Sequence, residues 1–275
     1  MIISAPASTA NLGAGFDVLG MALDLPFEVW LPDDDGEAPP DGFHLAEPTH
    51  PVALAYRDAG GVGDLWWRSP IPPGRGLGFS GAATVAGAFA ACEDIDEAVA
   101  VATLIEGHPD NAAPSGYGGF CVSAAGASVR LDPPDGVELV VWWPTSSTST
   151  RKARAALPAT VPFDDAVENI GRSSLLVAAV AAGRLDLWDE ATRDRLHQDV
   201  RLTLAPGSAA VIERCRAAGA LAVWLSGSGP TVAALCRSGA TAPVVAAIGG
   251  EGSCRVVALA ARGVATTKSD QTGRD

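Results

Sequence analysis

Lysine is almost absent: Lys152 and Lys268 are the only two in 275 residues, so arginine carries nearly all the positive charge. The 19 basic residues face 32 acidic ones, a formal charge of −13. Nucleic acid is bound through clustered Lys and Arg, so this balance excludes it as a partner. Long hydrophobic runs are missing as well. Apolar stretches such as 175–182 fall far short of the roughly 20 residues that cross a bilayer. No secretion signal opens the chain, because Ser4, Asn11 and Asp17 interrupt its start and no basic residue precedes them. These absences predict a soluble cytoplasmic protein without a membrane partner. The five cysteines are odd in number and show no CxxC or Cys/His spacing, so they read as buried reduced thiols. No internal repeat is visible.

What is present describes an ordinary globular chain with ample core: 48% hydrophobic and 19% charged residues, at a length comfortable for two domains sharing a cleft. Short apolar runs and Gly or Asn turns over the first thirty positions predict strands. Residues 33–64, rich in Pro, Gly and Asp, read as a loop with little regular structure. A strand at 65–68 then enters a Gly-rich turn, 72–78, followed by helices at 81–91 and 95–106 and strands at 119–124 and 128–131. Pro133-Pro134-Asp135-Gly136 is a strong turn signal and the best candidate boundary. Beyond it come a strand (137–143), a Ser/Thr-rich loop, helices at 164–182 and 206–218, strands at 222–225 and 231–236, a helix at 242–248 and a strand at 255–260. This order suits an α+β sandwich. The expected division is 1–135, 136–265 and a polar, frayed tail at 266–275.

Four segments carry polar chemistry. The first runs Pro72-Pro73-Gly74-Arg75-Gly76-Leu77-Gly78-Phe79-Ser80-Gly81-Ala82. Its glycines let backbone approach a ligand and turn N–H groups inward, and the helix behind adds its partial positive charge, making an anion site. It is not a Walker loop, having no GxxxxGK[ST] and no nearby Lys, nor a dinucleotide fingerprint. The others are the loop Ala5 to Asp17, the run Glu106-Gly107-His108-Pro109-Asp110-Asn111, and the turn Leu225-Ser226-Gly227-Ser228-Gly229-Pro230-Thr231.

In this order the segments resemble the GHMP small-molecule kinases, with a PxxxGLGxSxA phosphate loop and a late GSGPT turn. The starts APASTANLGAGFDVLGMAL and EGHPDNAAPSGYGGF, with TSTRKARAALP, NIGRSSLLVAA and DRLHQ, are similar to the homoserine kinase branch. The resemblance covers about 1–31 and 65–237. It implies a two-domain GHMP kinase fold: an N-terminal phosphate-loop domain that binds ATP and a C-terminal ferredoxin-like sandwich. It further implies phosphorylation of the side-chain hydroxyl of L-homoserine, with ATP and Mg²⁺ as cofactors. Carried over residue by residue, Asn11 and Asp17 would hold the amino acid, and His108 and Asn111 would line the acceptor side. Arg154 and Arg201 would take the α-carboxylate, with Thr150 one turn before Arg154. The loop from Pro72 to Ala82 would wrap the triphosphate, and Ser80 and Glu106 would hold Mg²⁺. Asn111, Asp17 and Arg154 are the expected catalytic set. The loop departs from the family's GLGSSAA in Phe79 and Gly81, and a Phe beside phosphates needs an apolar neighbour.

Asn111 cannot take a proton as an Asp could, so direct attack of the hydroxyl without a strong base is expected. Other readings stay open: another hydroxy-acid acceptor (pantoate, shikimate or mevalonate), or an inactive metabolite sensor on the same fold. A homodimer is compatible with the sequence, which does not fix the oligomeric state. His44 and His50 read as surface residues, His197 as support for a helix end, and Asp33-Asp34-Asp35 as a solvated loop. Each of the pairs Trp66-Trp67 and Trp142-Trp143 is expected to put one ring inside and one outside.

Overall fold

The computed structural model describes residues 1–32, 37–146 and 150–267. Its first half is built on two long antiparallel strands, β1 (Ile2–Ala10) and β2 (Leu19–Trp30). After them come β3 (His44–Leu45), α1 (Pro51–Asp58), β4 (Trp66–Arg68), α2 (Phe79–Cys92), α3 (Ile95–Glu106), α4 (Ala112–Tyr117) and the hairpin β5 (Phe120–Ala124) and β6 (Ala127–Leu131). Pro6 and Pro26 face each other in the β1–β2 ladder, where neither can donate a hydrogen bond, and the register shifts there. The resulting bend lets one edge of β2 serve two partners: β5 at Leu19–Met21 and β4 at Glu28–Trp30.

The second sheet begins with β7 (Val137–Trp143). It continues through α5 (Thr150–Ala155), α6 (Phe163–Ala181), α7 (Trp188–Ala191), α8 (Gln198–Thr203), α9 (Pro206–Ala217), β8 (Ala222–Leu225), β9 (Val232–Arg237), α10 (Ala242–Ile248) and β10 (Ser253–Val257). Its antiparallel order, β10-β7-β9-β8, is that of a ferredoxin-like sandwich. The chain then returns to the first sheet, where β11 (Ala265–Thr267) pairs with β1. The expected α+β architecture is therefore present, with one sheet of seven strands and one of four.

Helix α2 consists almost entirely of small residues and is buried on nearly every side, as suits a central helix. The main core runs from it across β1 and β2 to one face of β7, ending at Trp188 and Trp224. A smaller cluster under α9 and α10 covers the opposite face of β7.

Several sequence expectations need correction. Residues 33–64 contain regular structure, since α1 buries Val52, Ala55 and Tyr56 on one side. Its start is hidden because His50, an unusual cap, accepts from the Val52 N–H through Nδ1 while Pro51 opens the helix. His50 is accordingly half-buried, whereas His44 is exposed as expected. The short helix α5 lies in the stretch that reads as a Ser/Thr-rich loop, and α4, α7 and α8 lie where the sequence assigns no element, all too brief for periodicity to register. Thr266 and Thr267 lie in β11, where β1 supplies the pairing that a polar tail alone could not reveal. Trp142 and Trp143 are both covered, because both faces of β7 are packed, and Trp66 and Trp67 are both half-buried. The five cysteines are free thiols, but Cys254 is exposed. Asp33-Asp34-Asp35 lies outside the described residues.

Helix α3 matters to the chemistry of the cleft because it ends at Glu106. Its first turn is capped by the Asp94 carboxylate, which accepts from the Glu97 N–H at 2.9 Å. Asp94→Ala is expected to cost about 1 kcal/mol of stability in denaturant unfolding, with Asp94→Asn restoring most of it. Equal stability of all three proteins would contradict this.

Candidate active site

Three segments far apart in sequence are laced together at one buried seam. Trp224 Nε1 donates to Thr9 Oγ1 at 2.9 Å, the Thr9 and Ser226 hydroxyls lie 2.8 Å apart, and Ser226 Oγ donates to the Gly76 carbonyl at 2.6 Å. A hydroxyl has a single proton, so one assignment satisfies every contact: indole to Thr9, Thr9 to Ser226, Ser226 to Gly76. The backbone reinforces it through Gly227 N–H to Ala10 O at 3.1 Å and Ser8 N–H to Leu77 O at 3.3 Å. Gly76 and Gly78 are obligatory here. Both have positive φ, and a Cβ would come within 2.4 Å of Ser226 O at Gly76 and 2.0 Å of Ser8 Oγ at Gly78.

Gly78 opens α2, so the loop ends on unpaired helix N–H groups. Within the first turn, Ser80 Oγ donates to Glu106 Oε1 at 2.5 Å. Burial raises Glu106 above the usual carboxylate range, and the Ser80 hydrogen bond only partly offsets this. Among the described residues no basic side chain pairs with Glu106. Two oxygen donors, one a buried acid short of positive charge, fit a hard divalent cation. The ligand atoms of Asp17, His108 and Asp110 also lie within 4.8 Å of one another, but these groups already have partners. His108 Nδ1 donates to Asp110 Oδ1 at 2.5 Å, and Arg154 Nη2 bridges both Asp17 oxygens at 2.7 Å.

The facing wall is made by the other polar segments. Asn11, at positive φ, donates through Nδ2 to Gly227 O and accepts from the Asp17 N–H through Oδ1, both at 2.9 Å. Asp17 is thereby held at the mouth of the loop. Arg201 is 4% exposed. Its Nη1 reaches Gly227 O and His197 Nδ1, each at 3.1 Å, while its Nε is buried with no partner. Burial disfavours this charge and the Asp17, Asp110 and Asp194 carboxylates favour it, but among the described residues none of them forms an ion pair with Arg201. Asn111 sits between Ser8, whose hydroxyl donates to its Oδ1 at 2.9 Å, and Asp110, which accepts from its Nδ2 at 3.3 Å. Thr150 Oγ1 is 3.1 Å from Ser228 Oγ and so ties α5 to the late Gly-rich turn.

Side chains from all four polar segments border one cleft of about 440 Å³. Asn11, Asp17, His108, Asn111, Thr150, Arg154 and Arg201 meet there with Ser80 and Glu106. Of the phosphate loop, Gly74, Gly76, Gly78, Phe79 and Gly81 line it too. Pro72, Pro73, Arg75, Leu77 and Ala82 do not. Leu77 and Ala82 are core residues, and Arg75 turns away to donate to Thr145 O at 2.6 Å. Phe79 has the apolar neighbours it requires, with Phe27, Trp67 and His50 rings 5.4, 5.8 and 5.9 Å away. Pro51, Leu54 and Ile105 extend this apolar wall. The sequence does not announce Pro51 and Leu54, because the start of α1 is hidden. Asp110 and Phe16 are further site residues that the sequence alone does not single out, although Asp110 lies inside the run from Glu106 to Asn111.

Residues 49–119 match the family described as GHMP kinases N terminal domain, and 176–251 match GHMP kinases C terminal. A homoserine kinase of Thermus thermophilus is 42% identical over 264 residues, covering 88% of this chain and 89% of that protein. Homoserine kinase of Moorella thermoacetica is 45% identical over 262 residues, covering 86% and 87%. Among solved structures, homoserine kinase from Cytophaga hutchinsonii superposes with a TM-score of 0.82 at 27% identity, covering 96% of each chain. A mevalonate kinase at 12% identity, covering 94% of this chain and 99% of its own, shares the fold with a TM-score of 0.69. No helix among the described residues is long and apolar enough to cross a membrane.

The hydrogen bond that His108 donates to Asp110 raises the His108 pKa, and burial opposes it. The folded chain therefore binds this proton more tightly than the unfolded chain. That stabilisation is complete below about 6.5, the ordinary His value, and is lost as pH rises through the raised folded value. Denaturant unfolding between about pH 5 and about pH 9 is expected to show Asp110→Asn weakened most at the acid end. A deficit independent of pH would contradict the pairing.

Proposed function

The chain belongs to the GHMP kinase family, in its homoserine kinase branch, and on that premise we propose that it transfers the γ-phosphoryl group of ATP to the side-chain hydroxyl of L-homoserine, giving O-phospho-L-homoserine. The observation that carries the acceptor is Arg201. Its guanidinium carries a buried, unpartnered Nε, and the residue lines the cleft together with Asp17, which suits a zwitterion. The ammonium would take Asp17, releasing Arg154 to join Arg201 on the carboxylate in place of its present ion pair. Asn11 and Thr150 would fix the backbone end of the amino acid. The hydroxyl would then point to His108 and Asn111.

The donor side follows from the loop. Amides of Gly74 to Gly81 and the start of α2 suit the triphosphate, and the apolar wall of Pro51, Leu54, Phe79 and Ile105 suits the adenine ring. Ser80 and Glu106 would hold Mg²⁺, which when bound neutralises phosphate charge. Asp110 favours the protonated form of His108, which makes it a donor and a poor base, and Asn111 has no basic atom. The hydroxyl therefore attacks directly, placed by these two residues, and its proton leaves late to phosphate or solvent. A biosynthetic kinase draws on the cytoplasmic ATP pool, and we place the protein there.

The test is ADP release from ATP and Mg²⁺ with homoserine, threonine, shikimate, pantoate or mevalonate as acceptor. Turnover confined to homoserine is the expected result. Turnover with another acceptor would void the roles of Asp17, Arg154 and Arg201, and ATP binding without turnover would favour a sensor. Arg154→Ala is expected to raise the KM for homoserine about 10- to 100-fold, the loss of one charge-assisted contact, with the KM for ATP little changed. Glu106→Gln should instead lower kcat. Loss of all turnover in Asn111→Ala with homoserine affinity intact would contradict the base-free mechanism.

A further inference from the structure

Arg201 has five N–H groups, and which of them face the cleft is decided by a residue with no role so far. His197 stands at the start of α8 and is 1% exposed. Its Nε2 lies 2.9 Å from Gly13 O, an oxygen that can only accept, so Nε2 carries the proton. Its Nδ1 lies 3.1 Å from Arg201 Nη1, a nitrogen that can only donate, so Nδ1 carries the lone pair. The imidazole is thus a neutral Nε2–H tautomer fixed from both ends. Its charged surroundings are mixed. Asp194 Oδ1, 3.7 Å from Nε2, and Asp17 favour a proton, while Arg201 opposes it, and burial is the largest influence, favouring the neutral form.

Phe16 completes the clamp. Its ring stacks on His197 at 4.9 Å, and the Arg201 guanidinium carbon lies 5.0 Å from its centre. Both protons of Nη1 are consumed, one by Gly227 O and one by His197 Nδ1. The edge left for a ligand is the one formed by Nε and Nη2, and Nε is buried without a partner. A guanidinium can bind a carboxylate in a bidentate way through that edge.

We propose that His197 is a positioning residue for the acceptor: by occupying Nη1 it turns the Nε/Nη2 edge of Arg201 to the cleft, where that edge takes the substrate carboxylate side-on. The proposal rests on the homoserine reading of the site. His197 is also tied through Nε2 to Gly13 O in the loop between β1 and β2, a contact that fixes its tautomer.

Two substitutions separate positioning from plain packing. His197→Asn can place an amide oxygen where Nδ1 accepts and loses the Gly13 bond. His197→Gln can reach Gly13 and leaves Arg201 Nη1 without its acceptor. Both remove the ring and its stacking, so their thermal stabilities should fall alike. Steady-state kinetics should show the KM for homoserine about tenfold or more higher in His197→Gln, with His197→Asn close to wild type and the KM for ATP unchanged in both. Equal KM changes in the two variants, or none in either, would overturn the proposal. Nitrogen-15 spectra of histidine-labelled wild type should show a protonated Nε2 and a bare Nδ1 at His197, and the opposite tautomer or an imidazolium would overturn it as well. A wild type that turns over no homoserine would overturn the acceptor assignment and the carboxylate role with it. That failure is told apart because the kinetic tests of His197 begin from an active wild type.

Discussion

The Thr9–Ser226 hydroxyl pair is the contact on which the site depends. It joins the first strand, the phosphate loop and the late Gly-rich turn, with Trp224 donating at one end and Gly76 accepting at the other. Each net hydrogen bond contributes about 1 kcal/mol, but a buried partner left bare costs about 1–3 kcal/mol. The seam is therefore stringent: losing one hydroxyl strands the next group along. It also sets distances. Gly227, held against Ala10, supplies the carbonyl shared by Asn11 and Arg201, so both cleft-lining side chains are aligned by the turn that restrains the Gly-rich loop.

A second constraint is electrostatic. A chain of net charge −13 has to receive a nucleotide and an amino acid, both bearing negative groups. It does so with almost no lysine. On the proposed reading, backbone N–H groups and the start of α2 would take the place of the lysine of other phosphate loops, and Arg154 and Arg201 would serve the acceptor end. Arg201 is buried with the Asp17, Asp110 and Asp194 carboxylates favouring its charge but none paired with it among the described residues, and on the proposed reading that charge would meet the ligand. Glu106, a buried acid whose pKa is raised by desolvation, would be its counterpart on the proposed donor side, where a cation would neutralise it.

Much of the site is legible in the sequence because its chemistry is local. Ser80 follows a glycine turn, Glu106 ends a periodic helix, and Asn11 with Asp17 share one short loop. Inside a turn, side-chain direction has no period, so nothing distinguishes Arg75 and Leu77, which face away, from Gly76 and Phe79, which face the cleft. Helix α1 is hidden by a histidine cap and a proline that reads equally as a breaker. His197 reads as support for a helix end, but its reach to Gly13 spans 184 positions, and no local pattern announces such a contact. The return of β11 to β1 is invisible for the same reason.

The most direct measurement of the central claim is phosphorus NMR of a reaction containing the purified protein, ATP, Mg²⁺ and L-homoserine. The account predicts a phosphomonoester resonance, split by the adjacent methylene protons, growing in step with ADP. Inorganic phosphate as the only product besides ADP, or unconsumed ATP, would contradict it.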